Sequence, residues 1–254
     1  MNIPVSIVTI NYNNGPGLQK TIESVKAQSL SCYEFIVVDG GSNDSSPGII
    51  KSNLDIISYW LSEKDNGIYH AMNKGARKAS AEYIMFLNSG DVFAHESVLA
   101  NVLPSLQADI VYGNITALDS RGIKTHLKSF DEASIHNLWV STIWHPTAFT
   151  RKSLFIKNGF FNESFRLAGD YEFFVRNIIK HDATTKYINQ QITAFDMGGA
   201  SNKQDNKYLL DQERKLAWKL NFSDPLIFLF ENYVRMLRSS EYQWGKRISR
   251  FLPL

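Results

Sequence analysis

Three polar residues each close an apolar, β-rich run. Asn11 follows Val5-Ser6-Ile7-Val8-Thr9-Ile10, and Asp39 follows Phe35-Ile36-Val37-Val38. Asp91 follows Tyr83-Ile84-Met85-Phe86-Leu87 after the short link Asn88-Ser89-Gly90. One such residue alone reads equally well as a turn former or a helix cap. Three at successive strand ends point to a shared polar site. Its chemistry would be ligand binding, because open α/β sheets hold their ligands beyond the C-terminal strand ends.

The elements that must position these residues follow from hydrophobic spacing. Leu18, Ile22 and Val25 recur at helical intervals between the first two runs, as do Ile68, Met72 and Ala79 before the third. Ile56 to Leu61 and Ile110 to Tyr112 read as further strands, and Val98 to Leu106 as a helix. This alternation predicts an α/β fold with a mostly parallel sheet flanked by helices. After residue 114 the pattern is less regular. A helix is predicted to begin near Asp170, where Phe174 and Ile178 repeat at i, i+4. The chain from about residue 205 reads as helical, with a break at Ser223-Asp224-Pro225.

Composition narrows the function. With 254 residues, 44% hydrophobic and 20% charged, the chain can bury a core. A net charge of +2 argues against a nucleic-acid partner, which calls for a strong basic excess. The single Cys32 fits a reducing compartment, and the start Met1-Asn2-Ile3-Pro4 has no signal-peptide pattern, so a cytoplasmic location is expected. The apolar run Pro225 to Phe230 is too short to cross a bilayer. Phosphate-loop, dinucleotide-fingerprint, zinc and serine-elbow motifs are all absent from the sequence.

The motifs, taken together, resemble glycosyltransferase family 2, of GT-A fold and bacterial exopolysaccharide or colanic-acid-biosynthesis type. The matching segments are Thr9-Ile10-Asn11-Tyr12-Asn13, Val38-Asp39-Gly40-Gly41-Ser42, Glu63-Lys64-Asp65-Asn66-Gly67, Ala71-Met72-Asn73-Lys74-Gly75, Phe86-Leu87-Asn88-Ser89-Gly90-Asp91 and Met197-Gly198-Gly199-Ala200-Ser201. The resemblance covers roughly residues 3–202, with a nucleotide-binding half to about 114 and an acceptor-binding half from 115 to 202.

That resemblance implies an inverting transferase that moves a sugar from a UDP- or GDP-sugar to a saccharide hydroxyl, on an acceptor that is often lipid-linked. It places Thr9, Asn11 and Asp39 at the nucleotide, and Asp65, Asn73 and Lys74 further along the donor site. His145, in Trp144-His145-Pro146-Thr147, is assigned to donor phosphate or acceptor. Asp91 matches the last acid of the metal motif, so Mg²⁺ or Mn²⁺ is the implied cofactor. This chain has Asn88 and Gly90 where relatives often carry acids, which leaves Asp91 as the one expected protein carboxylate on the ion. Asp170, in Ala168-Gly169-Asp170-Tyr171-Glu172, matches the catalytic base, with Glu172 as the alternative. His70 stands where relatives usually have Asp, and Gly169 where they often have Glu. Gly198-Gly199 reads as a lid over the donor.

Two competing readings have sequence features to test them. A sugar nucleotidyltransferase would want basic residues in the loop from Asn11 to Gly17, which has none. A non-catalytic assembly component is permitted by the reduced metal motif and opposed by the presence of Asp39, Asp91 and Asp170. Residues 203–254 carry ten Lys and Arg against six Asp and Glu, whereas residues 1–202 carry 17 against 19. The extension therefore reads as basic, amphipathic and helical. It is a candidate for peripheral contact with the inner face of the cytoplasmic membrane, for packing on the catalytic domain, or for a homo-oligomer contact.

Overall fold

The computed structural model describes residues 3–118, 122, 124–196 and 206–239. The predicted lid at 197–201 and the aromatic and basic residues from 240 to 254 lie outside the described residues.

The chain runs β1 (Val5–Asn11), α1 (Gly15–Lys26), β2 (Glu34–Asp39), α2 (Ser46–Lys51), β3 (Tyr59–Ser62), α3 (Ile68–Lys78), β4 (Tyr83–Phe86), β5 (Val92–Phe93) and α4 (Val98–Val102). It continues with β6 (Ile110–Leu118), β7 (Lys124–Leu127), α5 (Ile135–Val140), β8 (Ala148–Arg151), α6 (Lys152–Asn158), α7 (Gly169–Val175), β9 (Thr185–Asp196), α8 (Lys207–Asn221) and α9 (Asp224–Arg238). One mixed sheet has the order β3-β2-β1-β4-β8-β6-β9-β5, with β7 paired to β6.

The expected parallel sheet is found over β3, β2, β1 and β4. β1 and β2 are rich in β-branched residues and, with β4, are buried on both faces, as parallel strands under helices must be, whereas β3 at the sheet edge is only half-buried. On one face Leu18, Ile22 and Val25 of α1 pack with Ile7, Phe35 and Val37. On the other, Met72 and Ala76 of α3 pack with Val8, Ile36 and Val38. The second half is mixed: β8 runs antiparallel to both β4 and β6, while β6 and β9 are parallel. β6 reaches Leu118, well past the expected Tyr112, because its polar Asn114 and Thr116 are also buried in the sheet. β3 starts at Tyr59 rather than Ile56. α4 ends at Val102, where Pro104 accompanies a 3₁₀ turn over Leu103–Ser105.

The extension is helical with its break at Ser223, as its pattern predicts. α8 docks on α7. Trp218 Nε1 donates to the Tyr171 hydroxyl (2.7 Å), and Asn221 Nδ2 donates to Glu172 Oε1 (2.9 Å). α9 buries Val234 and turns Leu226, Leu229, Tyr233 and Met236 outward.

Candidate active site

β1, β2 and β3 end in register, with Asn11 opposite Asp39 and Asp39 opposite Ser62. Asp39 is wholly buried, and its carboxylate is fully used. Oδ1 accepts from Asn11 Nδ2 (2.8 Å) and Ser42 Oγ (2.6 Å), and Oδ2 from the Ser42 amide (2.9 Å) and Ser62 Oγ (2.6 Å). Burial pushes its carboxyl up, but the Ser42, Ser62 and Asn11 donors outweigh burial and hold it below the usual carboxylate range. Asp39 therefore organises the turn at Gly40-Gly41-Ser42. Tyr12, 68% exposed, flanks that turn and escaped the sequence reading. A Cβ on Gly40 would lie 3.2 Å from the Tyr12 ring and 3.1 Å from Asp65 Oδ2. The exposed ring is a surface on which a base can stack.

Asp65 and Lys74 are brought together, but with each other. Lys74 Nζ pairs with Asp65 (2.6 Å) and Glu63 (2.8 Å), and His70 Nδ1 lies 3.4 Å from Asp65. Burial pushes the Lys74 ammonium down, while the two carboxylates more than restore it and raise it overall. The predicted phosphate-neutralising role thus falls on a lysine already held by two anions.

Two predicted site residues serve the framework instead. Thr9 is buried and donates to the Leu87 carbonyl (2.7 Å), tying β1 to the end of β4. Asn73 is buried and exchanges two hydrogen bonds with the Phe161 backbone (2.9 and 3.0 Å).

The loop after β4 is shaped from α1. The Thr21 hydroxyl donates to the Asp91 carbonyl (2.7 Å) and accepts from the Gly90 amide (3.0 Å). Asn14 Nδ2 donates to the Ser89 carbonyl (3.1 Å). Gly90 adopts φ +104°, a conformation that disfavours any side chain, acids included. A glycine at this position of the motif suits that conformation, while Asn88, the other departure, is explained by nothing in the backbone.

Asp170 sits in the first turn of α7, its side chain 16% exposed. Oδ1 accepts from the Tyr69 hydroxyl (3.0 Å) and the Tyr171 amide (2.9 Å). Oδ2 lies 3.1 Å from His145 Nδ1. The other imidazole nitrogen, Nε2, lies 3.0 Å from Asn88 Nδ2, in the loop that carries Asp91. The meeting has a topological cause. β8 pairs antiparallel with β4, so the turn that opens it at His145 sits beside the end of β4. Gly169 is required by the same packing, since a Cβ there would stand 2.7 Å from the Tyr69 ring. Glu172 is buried and paired with Arg176 (2.9 Å), away from the Asp170 carboxylate's partners.

Burial pushes the Asp170 carboxyl up, but His145, the Tyr171 amide and Tyr69 outweigh it and hold it below its usual range. Burial pushes the His145 imidazole down, and Asp170 with the charge of Asp91 raises it above its ordinary value. Beside the ring, Asn88 Oδ1 is buried without a hydrogen-bond partner among the described residues. Turned over, the amide would offer that oxygen to a protonated Nε2.

Asp91 is the carboxylate that could hold a cation here. Among the described residues, no three His, Cys, Asp or Glu side chains converge to hold a metal ion. One carboxylate fits Mg²⁺ or Mn²⁺ only when substrate phosphates supply further oxygens.

The chain matches the model of glycosyl transferase family 2 over residues 6–174 and belongs to that family. It is 30% identical over 222 residues to an uncharacterised glycosyltransferase of Mycobacterium tuberculosis, covering 84% of this chain and 82% of the relative. The fold is the GT-A glycosyltransferase fold. It superposes on Staphylococcus aureus TarS 1–349 in complex with UDP-GlcNAc with a TM-score of 0.64 at 17% identity, covering 84% of this chain and 66% of that one. It superposes on the mannosyltransferase PcManGT of Pyrobaculum calidifontis, in complex with GDP-Man and Mn²⁺, with a TM-score of 0.58 at 14% identity. That match covers 99% of this chain and 85% of the other. Proteins of this family and fold generally use divalent metals.

The His145 and Asp170 charges support each other, and the sign of the effect follows. The raised imidazole stabilises the fold at pH below its ordinary value of about 6.5, and that contribution is lost as pH rises through the raised value. The lowered carboxyl contributes above the usual carboxylate range and is lost as pH falls through its own lowered value. NMR titration is expected to find the His145 ring above about 6.5, and Asp170→Asn to bring it down. An unchanged His145 titration in that variant would contradict the pairing.

Proposed function

We propose that this protein is an inverting glycosyltransferase, using a UDP- or GDP-sugar and a saccharide hydroxyl, in bacterial surface-polysaccharide synthesis. The observation that carries the reading is the single imidazole bridging Asp170 to the loop of Asp91. Asp170 Oδ1 already accepts two donors, whereas among the described residues Oδ2 accepts only from His145. The open acceptor position on Oδ2 suits an incoming hydroxyl.

Asp170 takes the proton of that hydroxyl as its oxygen attacks the anomeric carbon from the face opposite the diphosphate. The bond to the diphosphate breaks and the leaving group departs with the electron pair. Asp91 is the residue that would hold Mg²⁺ or Mn²⁺, and a bound ion supplies neutralisation of the diphosphate charge. The exposed Tyr12 ring takes the base, beside the turn that Asp39 fixes.

The acceptor is lipid-linked in this reading, and α9 meets an anionic membrane surface. No helix among the described residues is long and apolar enough to cross a membrane. The outward stripe Leu226, Leu229, Tyr233 and Met236 suits interfacial insertion. Arg235 and Arg238 line a shallow hollow of about 380 Å³ with Trp139 and Glu231, where an anionic headgroup could rest.

Release of UDP or GDP from a panel of nucleotide sugars tests the chemistry. Asp170→Asn is expected to lower release by about 100-fold or more while nucleoside-diphosphate binding persists. Asp91→Ala is expected to lose the added thermal stabilisation that Mn²⁺ gives with UDP or GDP. Full activity in Asp170→Asn would exclude that residue as base, and no release from any donor by the unmodified protein would favour a non-catalytic role.

Sedimentation with vesicles containing about a third anionic lipid tests the surface. The full chain is expected to pellet, and to do so less when Leu229 and Met236 are both changed to Ser. Equal, negligible pelleting of both would remove the membrane contact, and a stable dimer lost in the same variant would assign the stripe to a second copy.

A further inference from the structure

We infer that Glu213, on α8 of the extension, is a positioning residue for the Asp170 carboxylate, an inference that rests on the reading of Asp170 as base. Glu213 is 6% exposed. Its carboxylate accepts from three consecutive backbone amides just before α7. Arg166 N donates to Oε1 and Leu167 N and Ala168 N donate to Oε2, each at 2.8 Å. Three convergent N–H groups form a small anion-binding concavity, and here the anion comes from the chain itself. A buried carboxylate persists when its oxygens are paired in this way.

The clamp replaces something the local sequence lacks. Ala168 is the N-cap of α7 and has no side-chain oxygen to fix the chain's entry into the helix. Gly169, kept small by the Tyr69 ring, adds no side chain to hold the segment. Asp170 is the next residue. The angle at which the base leaves the backbone is therefore set from α8, some 40 residues later in sequence. α8 is itself fixed by the Trp218 and Asn221 bonds to α7 and by the Arg214 guanidinium 4.6 Å over the Tyr171 ring. The extension thus reaches the active site without touching a ligand. A displacement of even 1 Å at a reacting group can cost about 100-fold in rate.

Glu213→Gln is the informative change, because it keeps size while replacing one acceptor oxygen with an NH₂ group. That group would face a backbone N–H and could not accept from it. The turnover number for nucleoside-diphosphate release is expected to fall about tenfold, with the donor KM within about twofold of the unmodified protein. Backbone hydrogen exchange is expected to quicken at 166–168 and to stay slow in β1, β2 and β4. Trp218→Phe is the control: it removes an α8-to-α7 bond but not the clamp. It is expected to lower thermal stability with kcat within about twofold. Glu213→Gln with unmodified kcat would overturn the inference, as would equal kcat losses in Glu213→Gln and Trp218→Phe. Should Glu213→Gln fail to fold, Glu213→Asp, which keeps the charge on a shorter arm, gives the same kcat and exchange readouts. Activity retained in Asp170→Asn would instead overturn the base assignment, whatever Glu213 does.

Discussion

A carboxylate held largely out of water keeps its charge only when its oxygens are partnered, and Asp170 places that constraint at the centre of this structure. Its partners come from three different elements. Tyr69 is in the first turn of α3, His145 opens β8, and the Tyr171 amide belongs to α7 itself. Each must arrive at the same point. A sheet that was parallel throughout would not deliver His145 beside the end of β4; the antiparallel insertion of β8 does. The imidazole then extends the charge network to Asn88, and so to the loop of Asp91.

The same demand explains the local exceptions. Gly169 gives room for the Tyr69 ring, and Gly90 gives a loop conformation that an acid would disfavour. Both are places where the chain departs from the expected acidic motif, and both trade a carboxylate for geometry. The buried carboxylates Asp39 and Glu213 act likewise, one fixing the turn after β2 and the other the entry to α7. Fixed charges in this protein are thus used to set backbone.

The parallel half of the fold was legible because each strand is an unbroken apolar run followed by polar turn residues. Asp91, His145 and Asp170 were legible as candidates; His145 meets Asp170 directly and reaches the loop of Asp91 through Asn88. The order β4-β8-β6 was not legible, since nothing in Ala148 to Arg151 distinguishes an antiparallel partner from a parallel one. Thr9 and Asn73 show a related difficulty: a polar residue that bonds buried backbone, as both do, looks in sequence like one that bonds a ligand. Lys74 carries a charge that two acids 9 and 11 positions earlier already claim. Glu213 had no signal at all, because its partners are backbone amides some 45 residues away and the helix that carries it reads as a simple amphipathic extension.

The central claim is that Asp170 and His145 work as one unit, and a double-mutant cycle on nucleoside-diphosphate release tests it most directly. The account gives Asp170→Asn and His145→Phe each a large loss, and the double variant about the same loss as Asp170→Asn alone. Losses that simply multiply in the double variant would show two independent residues and contradict it.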